Sequence, residues 1–140
     1  MPDKLYVTVK AAIWKGDKLL LQKEIGDKHF FYSLPGGRLN KGEAAHDGLR
    51  REVREEIGVG LAWISELPVK VFTTVSSNGQ HGIVGLVYEA KLSSERFRYD
   101  LGAVREVESA AYVDKATVLA SPPYVHTPFI LEYFDEHLTH

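Results

Sequence analysis

The sequence predicts an α/β fold, a mixed β-sheet with helices packed on it, and three patterns carry that prediction. In residues 5–13, Leu5, Val7, Val9, Ala11 and Ile13 occupy every second position, the period of a strand with one face on a core. In residues 43–57, Leu49, Val53 and Ile57 return every four residues, which places them on one side of an amphipathic helix. Residues 69–75 and 81–90 are rich in β-branched and apolar side chains and flank Ser76-Ser77-Asn78-Gly79, a hairpin signal. At 140 residues and 44% hydrophobic, the chain falls in the size range of one globular domain, so residues 1–140 are expected to form a single domain.

The remaining elements follow in order. After the first strand, Lys15-Gly16-Asp17-Lys18 is a turn leading into Leu19-Leu20-Leu21, so the pair reads as a hairpin. Gly42 precedes the helix and Gly58 is its stop. A short strand is expected around residues 110–113. Thr127-Pro128 combines an N-cap residue with proline at the first helical position, and residues 129–138 continue as a terminal helix. Residues 92–102 are the best candidate for a long surface loop. The chain contains no internal repeat or low-complexity tract.

Composition narrows the function. With 17 basic against 19 acidic residues and a net charge of -2, no general basic field is available for a nucleic acid polymer. Cysteine is absent, which excludes disulfides, thiolate zinc sites and thiol nucleophiles and fits a reducing compartment, the cytoplasm by default. No run approaches the ~18 apolar residues that a membrane span requires, so no membrane association is expected.

The chemistry concentrates in the helix. At about 100° per residue and with Arg51 as zero, Glu52 falls near 100°, Glu55 near 40° and Glu56 near 140°. Three carboxylates thus share a face beside the stripe of Leu49, Val53 and Ile57. Like charges at this spacing repel, so something cationic should offset them. Oxygen donors without cysteine or a histidine cluster suit a hard cation, magnesium or manganese, bound in part through substrate phosphates. Gly48, near 60°, leaves the acidic face open, and Leu34-Pro35-Gly36-Gly37 can form a tight turn whose bare backbone approaches a ligand. The competing reading is a solvated helix on which Arg50, Arg51 and Arg54 pair with Glu43, Glu52, Glu55 and Glu56, each pair contributing ~0–1 kcal/mol.

Spacing favours the first reading. Gly37, five residues, Glu43, seven residues, Arg51-Glu52-Val53, one residue, Glu55-Glu56, one residue, then Gly58-Val59 resembles the Nudix box at every fixed position. The lead-in Phe31-Tyr32-Ser33-Leu34-Pro35-Gly36-Gly37 is similar to that family as well. The resemblance implies a Nudix-like α/β/α sandwich with a mixed β-sheet and divalent-cation-dependent hydrolysis of a nucleoside diphosphate linked to another moiety. Carried over by residue, it assigns Glu52, Glu55 and Glu56 to metal binding, Arg51 to orienting them, Gly37 to a backbone contribution and Glu43 to support. It implies Mg2+ or Mn2+ as cofactor and a small-molecule diphosphate as partner: a nucleoside triphosphate, a nucleotide sugar or ADP-ribose. Asp47-Gly48-Leu49-Arg50 departs from the small or apolar residues common before the arginine, at positions the pattern does not fix.

In many Nudix enzymes a glutamate from a distant loop completes the site, and Glu106, ahead of Tyr112, fits that place as general base, with Glu108 as its rival. The six histidines are scattered without metal-ligand spacing, and Phe31, Tyr32, Phe72 and Tyr124 read as core more readily than as base-stacking residues. Two other functions stand beside hydrolysis. A non-catalytic nucleotide-binding module of the same fold would have little need for Arg51, Glu52, Glu55 and Glu56 together. The family's isopentenyl-diphosphate isomerase branch uses a catalytic cysteine, which this chain lacks.

Overall fold

The computed structural model describes residues 4–25, 30–76, 78–98, 107–125 and 127–138. The first strand, β1 (Lys4–Ala12), is buried on both faces over its second half, where Thr8, Val9, Lys10, Ala11 and Ala12 are all buried. Burial on both faces is what a central strand requires. β1 runs parallel to β8 (His81–Leu92) and antiparallel to β5 (Gly36–Arg38). β6 (Leu61–Ile64) and β7 (Lys70–Val75) pair antiparallel with successive halves of β8, completing a mixed five-stranded sheet.

The expected first hairpin is corrected at this point. The chain leaves the first sheet after Ala12, and β2 (Trp14–Lys15), not β1, pairs with β3 (Lys18–Ile25) across the turn at Gly16, whose φ is 63°. Leu20 N–H still donates to Ile13 O at 2.9 Å, so the switch keeps its backbone groups satisfied. β3 is flanked on its other edge by β9 (Val107–Val113), and β4 (Phe30–Ser33) pairs with its second half, giving a second sheet of four strands. The hairpin of β7 and β8 and the late strand agree with the sequence reading. Of the expected loop at 92–102, Leu92 closes β8 and residues 93–98 are irregular; residues 99–102 lie outside the described residues.

Helices cover both sides. α1 (Ala45–Ile57) lays Leu49, Val53 and Ile57 on Val9, Ala11, Ile13, Leu20, Tyr88 and Ala90. After the short α2 (Lys115–Leu119), α3 (Thr127–Leu138) lays Phe129, Ile130, Tyr133 and Phe134 on Ala12, Leu19, Leu21, Leu34, Phe72 and Val87. The result is the α/β/α sandwich. Thr127 Oγ1 accepts Tyr124 N–H at 2.9 Å, so this hydroxyl ties down the preceding turn. Among the described residues, no helix is long and apolar enough to cross a membrane.

Candidate active site

Two backbone features fix the ends of α1. Gly58 adopts the left-handed conformation, φ 73°, and its N–H closes on Arg54 O at 3.0 Å, the glycine stop expected from sequence. At the other end the helix starts two residues later than the hydrophobic pattern suggested. Glu43 belongs to the turn before it: its N–H bonds Asn40 O at 3.1 Å and its carboxylate accepts Asn40 N–H at 3.0 Å.

Glu43 and Arg51 meet across that turn. Arg51 Nε donates to Glu43 Oε2 at 2.8 Å and Nη2 to Oε1 at 2.9 Å, a bidentate pair with the planar geometry only arginine supplies. The same guanidinium reaches Glu52 Oε1 at 2.9 Å, Glu55 Oε2 at 3.4 Å and Arg38 O at 3.2 Å. One cation therefore offsets three acids and ties α1 to the end of β5. The arginine hydrogen bonds and the Asn40 N–H hold the Glu43 carboxyl down at about 2, and Glu43 in turn raises the Arg51 pKa. Arg50 does something else, donating to Leu61 O at 3.0 Å and so pinning the start of β6.

A depressed carboxylate contributes stability above its unfolded pKa of ~4.3 and loses it as pH falls toward the folded value. Replacing Glu43 with Gln is therefore expected to destabilise the chain near pH 6, with the deficit shrinking as the pH is lowered from about 5 toward 2. Urea midpoints measured across that range check it. A deficit that stays constant with pH would show that the ion pair is not its source.

The other acids rest against the turn of β5. Gly36 N–H donates to Glu56 Oε1 at 2.8 Å, and Glu56 is only 2% exposed. A Cβ on Gly37 would lie 2.5 Å from Glu52 Oε2, so this carboxylate is pressed against backbone that only glycine leaves bare. Lys10 completes the arrangement from β1, its Nζ donating to Leu34 O and Gly36 O, each at 3.4 Å. The sequence reading passed over Lys10; its one signal is a charge set between Val9 and Ala11 in an otherwise apolar run.

Gly48 has a different use from the open acidic face read from the helical wheel. A Cβ there would meet Leu39 Cδ2 at 2.3 Å and Glu43 Oε1 at 2.9 Å, so the glycine makes room for neighbouring side chains of the preceding turn. Gly37, Arg51, Glu52, Glu55 and Glu56 are brought together on the β5 side of α1. Glu106 lies outside the described residues. Phe72 stacks on Phe129 and Phe31 on Tyr124, each at 3.7 Å between centroids. As the side chains stand, no three His, Cys, Asp or Glu groups among the described residues are arranged to hold a metal ion. Arg51 and Gly36 N–H hold the acids instead.

A NUDIX domain model matches residues 4–129 of the chain. The chain belongs to the NUDIX family. Solved Nudix structures share its fold. A NUDIX hydrolase from Nitrosomonas europaea is 23% identical, with 97% of this chain and 90% of that one covered and a TM-score of 0.78. A MutT NUDIX hydrolase from Burkholderia pseudomallei is 25% identical over 93% and 98%, with a TM-score of 0.74. The NUDIX domain of Shewanella oneidensis NrtR, complexed with ADP ribose, is 19% identical over 99% and 90%, with a TM-score of 0.69. No curated protein matches the sequence. Membership makes the chain a Nudix pyrophosphohydrolase, of a family that acts generally on nucleotide derivatives and generally uses divalent metals.

Proposed function

We propose that the chain hydrolyses the diphosphate linkage of a nucleoside diphosphate derivative, with Mg2+ or Mn2+ held by Glu52, Glu55 and Glu56 and the backbone carbonyl of Gly37. The observation that carries this reading is the approach of the Glu52 carboxylate to Gly37, closer than any side chain at that position would permit. An all-oxygen donor set suits a hard cation. When bound, the cation supplies positive charge to the diphosphate oxygens.

The chain's own groups have separate tasks. Arg51 holds Glu52 and Glu55 on the face toward β5 and is itself held by Glu43. Gly36 N–H fixes Glu56 at the buried end of the site, where water is largely excluded. Hydrolysis adds water across the linkage: the water oxygen bonds to phosphorus, the bridging phosphorus–oxygen bond breaks, and a carboxylate takes the proton. Glu106 is the proposed base, because acids committed to a cation are poorer proton acceptors.

The test is a screen of nucleoside triphosphates, nucleotide sugars and ADP-ribose with Mg2+, with Mn2+ and with excess chelator. Phosphate-containing products are expected only with metal, because unscreened acids at the site repel a polyphosphate. Hydrolysis undiminished in excess chelator would remove metal binding from the proposal. Tight binding of nucleotides without cleavage of any would favour the non-catalytic module.

A further inference from the structure

Lys10 is a charge set inside the central strand, only 1% exposed. Its neighbours Val9 and Ala11 pack under α1 and Ala12 packs with α3, so strand alternation turns Lys10 to the α3 side of the sheet. Burying an ammonium costs solvation, and a methionine fills similar space without that cost. What the ammonium adds is hydrogen-bond donors, three on one atom. Two contacts go to the backbone ahead of α1, from Nζ to Leu34 O and to Gly36 O.

The carbonyl between those two is also held from β1, because Ala11 N–H donates to Pro35 O at 2.8 Å. Successive carbonyls of an extended chain point in alternate directions, so a backbone N–H of β1 serves Pro35 while the carbonyls on either side need a side chain. Gly36 is gripped twice: its C=O meets Lys10 and its N–H meets Glu56 Oε1. Lys10 and Glu56 thus fix the peptide planes on the two sides of this residue. Glycine has the widest backbone freedom of any residue, and here two stand in a row, Gly36 with φ 138°. Left unheld, the peptide between them can rotate, and with it the backbone against which Glu52 is pressed.

We propose that Lys10 is a positioning residue of the metal site: its ammonium fixes the turn of residues 34–37, so that Glu56 and the Gly37 backbone stand in place before a cation arrives. The proposal rests on the diphosphate-hydrolase reading of the carboxylates. Arg51 holds Glu52 and Glu55 through their own oxygens. Lys10 works from the α3 side of the sheet and through backbone alone, without touching the diphosphate. Groups that orient the ligands of a metal contribute to its affinity although they do not bind it, because a site already in place has less to order.

The experiment titrates Mn2+ alone into the full chain, the free ion being followed by its electron paramagnetic resonance signal, well below the melting transition of each variant. Lys10→Met is expected to raise the Mn2+ Kd about tenfold or more, the scale of losing a group that orients a metal ligand. A role confined to stability would lower the melting temperature and leave that Kd unchanged. The chain has no cysteine, so Lys10→Cys, alkylated with bromoethylamine in denaturant and refolded, restores an ammonium at the length of lysine. It should return the Kd to within about twofold of the unaltered chain taken through the same cycle, whereas a propyl group on the same cysteine should not. Lys10→Gln, with a donor on a shorter stem, serves if the methionine variant does not fold, and its Kd should rise as well. An unchanged Kd in the variant that folds, a Kd that the aminoethyl group fails to restore, or equal recovery with the propyl group overturns the proposal. Failure of both variants to fold overturns it too, making Lys10 a determinant of the fold. In each of these cases Mn2+ binding by the unaltered chain keeps the hydrolase reading, whereas an unaltered chain that binds neither Mn2+ nor Mg2+ loses both.

Discussion

Glu52→Gln and Glu56→Gln are each expected to lower kcat by at least about a hundredfold, on the scale of removing one principal electrostatic group from a site. The substitution keeps shape and one acceptor oxygen while removing the charge a divalent cation needs. In Glu56 the amide oxygen can still accept Gly36 N–H, so the buried end of α1 keeps its hydrogen bond. In Glu52 it can still accept from Arg51 Nη1. Folding should therefore be retained, and a melting transition near that of the unaltered chain must accompany the lost activity. Glu55 is 47% exposed at its side chain and sits 3.4 Å from Arg51, so its replacement is expected to cost less than either. Rates close to the unaltered chain's in both variants would reduce α1 to a surface helix crossed by ion pairs.

Gly36→Ala should instead break the structure. Gly36 has φ 138°, a backbone conformation that side chains rarely adopt, and a Cβ there would lie 2.0 Å from Val9 O and 2.8 Å from Lys10 Cα. Both obstacles are backbone of the central strand, so relief requires opening the Lys10–Gly36 register between β1 and β5. Backbone strain and overpacking together set the loss at about 3 kcal/mol or more, roughly a 10 °C fall in Tm for a chain of this size. Gly16→Ala is the control: φ is 63° there too, yet nothing lies within 4 Å of the added methyl, so only the conformational cost of about 1 kcal/mol applies. Thermal melts of the two variants decide the matter. If Gly36→Ala melts no lower than Gly16→Ala, the close approach at β5 is not a constraint on this fold.

What the sequence determined alone is what local periodicity and residue spacing encode. Leu49, Val53 and Ile57 specify the helix and its buried side, and Gly58 its end, because these depend on contacts within a few turns of one element. The spacing from Gly37 to Val59 specified the family and which acids lie beside that buried stripe. Tertiary structure decided the rest, for a consistent reason: each point turns on a partner distant along the chain. The apolar alternation of 5–13 says strand, but only pairing with β5 and β8 takes Ala12 into one sheet and Trp14 into the other. On a helical wheel Glu43 looks like the first residue of α1; Asn40 and Arg51 draw it into the turn before the helix. Gly48 looks like a gap for a ligand until Leu39 folds back into it. Lys10 looks like an ordinary strand residue until the turn into β5 brings the carbonyls of Leu34 and Gly36 to its ammonium. A side chain's period along the sequence assigns it to a face, but what meets that face is set by registers between strands, and those arise only when the whole chain packs.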